Sequence, residues 1–169
     1  MELSIRPLKD LPLSQIKSFM REGEPFIRVR DEGDYWLFAE LFSRSSFVAL
    51  VGNDPVGIVI AMQSQDDPTS LYIQDVAVHR NHRQRGIARR LLGAVEREAQ
   101  RRGCRRVWLT TKPGNMATVV WPRLGFTDLE GDYEADGLQI HRDLKGPGKD
   151  RVVFEKRLRQ ALPQPPRRG

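Results

Sequence analysis

The stretch HRQRGIARRLL, His82–Leu92, decides how the chain is read. Its first half is basic, Gly86 and Ala88 lie close together in it, and helical spacing begins at Ile87. Directly before it, LYIQDVAV (Leu71–Val78) has the apolar, β-branched character of a strand. A strand that gives way to a helix through a basic, glycine-containing turn suits an anion. The first N–H groups of a helix have no partner within it, and together they carry about half a positive charge. Gly86 and Ala88 keep bulk away from those amides, while Arg83 and Arg85 add charge-assisted contacts. A solvated basic helix start is the plainer alternative, and the turn alone does not choose between them.

Working outward, Leu91, Val95 and Ala99 repeat every four residues after Ile87, and Gly103 closes an amphipathic helix. Upstream, LSIRPL (Leu3–Leu8) reads as a strand, LPLSQIKSFM as a helix and GDYWLFAELF (Gly33–Phe42) as a second helix. SFVALV (Ser46–Val51) and PVGIVIAM (Pro55–Met62) are apolar runs joined by GND, a hairpin pattern. Downstream come the strand RVWLTT (Arg106–Thr111), a PGN break, a short helix MATVVWPRL ending at Gly125, and a last strand RVVFEKRL (Arg151–Leu158). The expected fold is an α/β domain with a mixed sheet. It occupies residues 1–160, and the Pro- and Arg-rich residues 161–169 read as a disordered tail.

Composition narrows the function classes. At 169 residues the chain can bury a core without metal or disulfide, and Cys104 is its only cysteine. No apolar run approaches the roughly 20 residues a membrane span requires, and MELSIRPLKD lacks the apolar region of a secretion signal. A cytoplasmic protein without membrane contact is expected. Three scattered histidines do not make a metal site. The net charge of +6 points to an anionic partner. Yet arginines crowd Arg80–Arg106 while DLEGDYEAD (Asp128–Asp136) is acidic, a split that a uniform nucleic-acid surface does not predict.

VAVHRNHRQRGIARRLL resembles the acetyl-CoA-binding segment of the GNAT family of N-acetyltransferases, with Arg83-x-x-Gly86-x-Ala88 at its signature. The hairpin from Ser46 and the segment NMATVVWPRLGF continue the likeness. The resemblance implies a mostly antiparallel mixed sheet of six to seven strands, flanked by about four helices, with splayed central strands. It implies that acetyl-CoA is the co-substrate. The main chain of Val76, Ala77 and Val78 would hold its pantetheine arm, and Arg83 with the amides of Gln84, Arg85, Gly86, Ile87, Ala88 and Arg89 its pyrophosphate. Asn115 would meet the pantetheine or acetyl end. Many relatives form homodimers.

The chain departs from the pattern where catalysis is expected. Trp121 stands at the usual tyrosine position, and an indole N–H is far too weak an acid to protonate a thiolate. Gln74 stands where many relatives carry glutamate, leaving Asp75 as the nearest carboxylate, either a base or a hydrogen-bonded structural residue. Tyr133 is a substitute acid, with aromatic packing as its other reading. If Asp128–Asp136 is extended, its five carboxylates project from one face and would attract a small cationic amine; a solvated charged edge is the alternative. DYWLFAELFSRSSFVALV and DPTSLYIQDVAV are also similar to diaminobutyrate acetyltransferases, which act on a small diamino acid.

The leading expectation is therefore acetyl transfer to a primary amine, of a small molecule or a peptide, by direct attack in a ternary complex. An acyl-CoA-binding sensor without turnover and a basic nucleic-acid-binding module are the alternatives. The basic stretch lacks the interleaved aromatics on which bases stack, which counts against the last.

Overall fold

Apolar runs without alternation, such as FVALV and GIVIAM, belong to strands covered on both faces. That is how they sit in the computed structural model, which describes residues 2–25 and 27–159. In chain order the elements are β1 (Leu3–Pro7), α1 (Leu13–Arg21), α2 (Glu32–Leu41), β2 (Phe47–Val51), β3 (Asp54–Gln63), β4 (Ser70–Val78), α3 (Ile87–Arg101), β5 (Arg106–Thr111), α4 (Ala117–Arg123), β6 (Thr127–Asp128), β7 (Tyr133–Ala135), β8 (Leu138–Ile140) and β9 (Val152–Arg157). Seven strands form one sheet in the order β1-β2-β3-β4-β5-β9-β6, and β7 and β8 form a separate hairpin. Only β4 and β5 run parallel among the sheet neighbours. The mostly antiparallel sheet and four α-helices are those expected; the tail assigned to residues 161–169 lies outside the described residues.

Alternation divides the core in two. Ala49, Val59 and Ala61 pack with Leu91 and Val95 of α3, whereas Val48, Leu50, Ile58 and Ile60 pack with Ile16, Met20, Tyr35 and Ala39 of α1 and α2. Gly57 permits the approach of α3. A methyl group there would lie 2.8 Å from Ile87 Cγ2 and 2.9 Å from Leu91 Cδ1.

Two irregularities in β4 shape everything that follows. Ile60 of β3 opposes Asp75 while Ala61 opposes Ile73, so Gln74 is an extra, bulged residue. The bulge inverts the alternation: Leu71 and Ile73 before it, and Val76 and Val78 after it, all pack on the α3 side. Tyr72 and Asp75 consequently share the α1–α2 face. Secondly, β4 pairs with β5 only from Ser70↔Arg106 to Ile73↔Leu109. From Gln74 onward β4 keeps β3 on one edge and, among the described residues, has no strand on the other. The splay is thus present at the expected strands.

The acidic segment does not form one extended face. Asp128 ends β6, the chain turns, and Tyr133–Ala135 belong to the β7–β8 hairpin. Gly131 is pressed against the main chain of Ile140, where a methyl group would lie 2.5 Å from the carbonyl oxygen. Asp128 Oδ2 accepts from the Gln139 amide at 2.9 Å, and Asp132 Oδ2 from the Arg142 amide at 2.7 Å. Asp136 sits in the hairpin turn at φ 52°. Two of the five carboxylates are therefore committed to backbone amides of the hairpin and the residues after it.

Candidate active site

The free edge of β4 leads directly into the turn before α3. Gln84 and Gly86 both adopt left-handed backbone angles, φ 61° and 74°, and Gly86 is the residue preceding the helix. The first helical bond at this end is Arg90 N–H to Gly86 carbonyl at 3.0 Å. The amides of Ile87, Ala88 and Arg89 precede it and have no intrahelical partner. The amides of Gln84, Arg85 and Gly86 likewise make no hydrogen bond among the described residues. A Cβ on Gly86 would meet nothing within 4 Å, so the space beside Gly86 is open. Arg83 Nε reaches back to the Val78 carbonyl at 3.3 Å, and the exposed Arg85 flanks the turn. A row of free amides with two arginines beside it has the chemistry to hold a diphosphate.

A second cluster occupies the α1–α2 face at the splay. Arg30, in the connection between α1 and α2, donates from Nη1 to Asp75 Oδ2 at 2.7 Å. Its own amide is held by the Tyr35 hydroxyl at 3.1 Å, and its guanidinium lies over the Phe38 ring. Burial pushes the Asp75 carboxyl up to about 6, against the pull of the Arg30 and Lys145 charges. Asp75 Oδ1 has no hydrogen-bond partner among the described residues. Beside it, Lys145 Nζ donates to the Tyr72 hydroxyl at 2.8 Å, and that hydroxyl also meets Thr110 Oγ1 at 3.2 Å. Tyr72 packs on Trp108 with ring centroids 4.6 Å apart. Four separate segments therefore meet around Asp75.

A model of the acetyltransferase (GNAT) family matches residues 15–126. The chain belongs to that family. A curated relative, aminoglycoside N(6')-acetyltransferase type 1 of Salmonella typhimurium, is 29% identical over 93 residues, covering 51% of this chain and 64% of the relative. The chain thus matches just under two thirds of that relative's length. Among solved structures, the ribosomal-protein-S18-alanine N-acetyltransferase of Escherichia coli superposes with a TM-score of 0.72 at 17% identity, over 97% of this chain and 99% of the other. The diaminobutyrate acetyltransferase of Paenibacillus lautus, solved with L-2,4-diaminobutyric acid and coenzyme A, gives 0.69 at 23% identity, over 91% and 93%. At these identities the two structures speak for the fold.

Acetyl-CoA is the acyl donor of GNAT enzymes, and the cradle and free strand edge suit its diphosphate and its amide-bearing arm. Asn115 lies two residues before α4, where its Oδ1 accepts from the Ala117 amide at 2.9 Å; its side-chain NH2 has no partner among the described residues. Trp121 packs edge-on against Phe126, centroids 5.4 Å apart, so the residue at the usual tyrosine position serves the core. The Tyr133 hydroxyl donates to Asp150 Oδ2 at 2.5 Å, and this bond with burial raises the phenol above its usual pKa. Its proton is already engaged.

Arg30, Tyr72, Thr110 and Lys145 were not apparent from the sequence. Arg30 and Lys145 reach the site across 45 and 73 residues of chain, and no local spacing marks them.

Proposed function

We propose that this chain transfers the acetyl group of acetyl-CoA to a primary amine of a small acceptor by direct attack. The observation that carries the reading is continuity: among the described residues an unpaired strand edge runs from Gln74 to Val78 and leads into a turn whose amides make no hydrogen bond and whose Gly86 borders open space. In this reading the amides of Gln84–Arg89, with Arg83 and Arg85, hold the diphosphate. The main chain of Val76, Ala77 and Val78 hydrogen-bonds the pantetheine arm. The side-chain NH2 of Asn115 contacts the same arm nearer the thioester.

The amine nitrogen attacks the thioester carbonyl carbon, the C–S bond breaks, and the thiolate leaves. The Val76 amide stabilises the charge that develops on the carbonyl oxygen. The proton lost by the amine passes to Asp75 Oδ1, directly or through one water. A carboxylate pushed to about 6 is ionised at neutral pH yet basic enough to accept it. Arg30 is a positioning residue, fixing the carboxylate through Oδ2. We assign Tyr133 no proton transfer: its raised pKa and its bond to Asp150 suit an anchor for the β7–β8 hairpin.

The curated relative's acceptor is an aminoglycoside, a small molecule bearing amines, which favours a small acceptor here. A cationic acceptor drawn to a carboxylate face at Asp128–Asp136 loses its main support, since Asp128 and Asp132 bind backbone amides instead.

The test is release of free CoA thiol from acetyl-CoA in the presence of pooled amines: polyamines, diamino acids, aminoglycosides and peptide N-termini. Release that depends on a pool and disappears in Gly86→Trp is expected. A thermal shift with acetyl-CoA but no release from any pool would replace the enzyme by an acyl-CoA sensor. No shift at all would remove the cofactor reading as well.

A further inference from the structure

Acetyl transfer leaves one proton without a source, the one that the departing sulfur takes up. Trp121 holds the usual tyrosine position and packs on Phe126. The sequence has three tyrosines. Tyr35 is fully buried with its hydroxyl on the Arg30 amide, and Tyr133 donates its proton to Asp150. His79 and His82 stand past Val78, at the diphosphate end of the free edge, and His141 bridges to Arg151 with its Nε2 buried. Tyr72 remains.

The geometry points to Tyr72 as the general acid that protonates the CoA sulfur, with Lys145 returning the proton. This rests on the acetyl-transfer reading above and adds a catalytic residue to it.

β4 and β5 run parallel and part after Ile73↔Leu109. Tyr72 is paired with Trp108, yet its hydroxyl lies 3.2 Å from Oγ1 of Thr110, the first β5 residue past the last pair. The phenol therefore leans two residue rises, roughly 6–7 Å, along the strands to the point where they separate. The Trp108 ring packs against it, centroids 4.6 Å apart. An arm that starts with its diphosphate at Gln84–Arg89 and runs back along Val78–Val76 brings its thioester toward the same point. Tyr72 and Thr110 are partly exposed, so the hydroxyl is open to a bound group.

Its hydrogen bonds leave the phenolic proton free to transfer. Lys145 Nζ is a donor only, so at 2.8 Å the phenol oxygen accepts from it. The phenolic hydrogen then points away from Lys145, to Thr110 or to the bound sulfur. As the tetrahedral adduct collapses, the C–S electron pair moves to sulfur and the phenolic proton follows, giving free CoA thiol. The phenolate takes a proton from the Lys145 ammonium, which recovers one from water. Asp75 gives the amine's proton to water, which closes the exchange. Lys145 thus acts through Tyr72, as a positioning residue that also restores its proton.

Tyr72→Phe keeps the ring on Trp108 and removes the proton. With the amines that support thiol release, kcat is expected to fall about a hundredfold while KM for acetyl-CoA stays within about twofold. Acetyl-seleno-CoA separates proton donation from a structural defect, because a selenol is the stronger acid and leaves without being protonated. With that donor, and the acetylated amine followed by mass spectrometry, the two proteins should differ by less than about threefold. Lys145→Gln should lower kcat with acetyl-CoA by about tenfold, and adding it to Tyr72→Phe should cost nothing further, since the two act as a unit.

An equal loss with both donors, or a Tyr72→Phe protein with wild-type kcat, overturns the inference and leaves acetyl transfer standing. So does a double variant slower than Tyr72→Phe alone. No turnover by the wild-type protein with either donor overturns both.

Discussion

Gly57→Ala tests whether the phosphate cradle owes its position to packing beneath it. The new methyl group would lie 2.8 Å from Ile87 Cγ2, 2.9 Å from Leu91 Cδ1 and 3.3 Å from the Ala77 carbonyl oxygen. Comfortable carbon contacts begin near 3.5 Å. Ile87 and Leu91 are 4% and 0% exposed, so neither side chain can swing into solvent, and the first turn of α3 must lift. Overpacking of this kind costs about 1–3 kcal/mol. For a domain of this size that lowers Tm by roughly 3–10 °C. The lift displaces the amides of Ile87 and Ala88, so CoA affinity should fall about tenfold or more, the loss of one or two charge-assisted hydrogen bonds. Gly93→Ala, on the same helix, is the control. There the methyl group meets only the end of the Arg97 side chain, at 3.4 Å, and a helix-interior glycine is replaced by a better helix former. It should raise stability by about 0.5–1 kcal/mol and leave CoA affinity unchanged. Thermal denaturation and calorimetric titration with CoA read both effects. A Gly57→Ala protein with wild-type Tm and wild-type CoA affinity would refute the reasoning.

The remaining predictions concern the chemistry. The carboxyl of Asp75 stands above its ordinary pKa, so the base is protonated below about 6, and kcat/KM should rise with pH through that value. Asp75→Asn should lower kcat by about a hundredfold or more and abolish that limb; a pH profile shared by both proteins would remove Asp75 as base. Arg30 holds the Asp75 pKa down, so Arg30→Ala should move the limb to higher pH, and a shift to lower pH would contradict the ion pair's role. Tyr133→Phe should weaken the hairpin's hold on Asp150 yet keep kcat within about twofold; a fall of about a hundredfold in a folded protein would restore the phenol as general acid.

Much of the frame was legible because it depends on local pattern. The GND hairpin, the apolar runs of β2 and β3, the four-residue repeat of α3 and the glycine before it all report their own conformations. The chemistry was less legible, for a physical reason that β4 illustrates. Period-two reading assumes an unbroken strand, and the bulge at Gln74 reverses which side chains face α1 and α2 from that point. Nothing in LYIQDVAV announces it. Asp75 was reached by elimination after Gln74, whereas its partner Arg30, and the Lys145 that bonds Tyr72, come from segments distant in the chain. The acidic run failed in the opposite way. Its perfect alternation suggested one strand, but Gly131 packs against Ile140 and the chain turns, sending the Asp128 and Asp132 carboxylates to backbone amides. Trp121 shows a third case: a position familiar for chemistry is used here for packing on Phe126.

Amide hydrogen exchange with and without acetyl-CoA tests the central claim most directly, since it reads the proposed contacts one residue at a time. The account predicts protection of Val76–Val78 and of Gln84–Arg89, with little change at the distant β1–β2 ladder. Binding that leaves these two segments unprotected, or protection concentrated elsewhere, would contradict it.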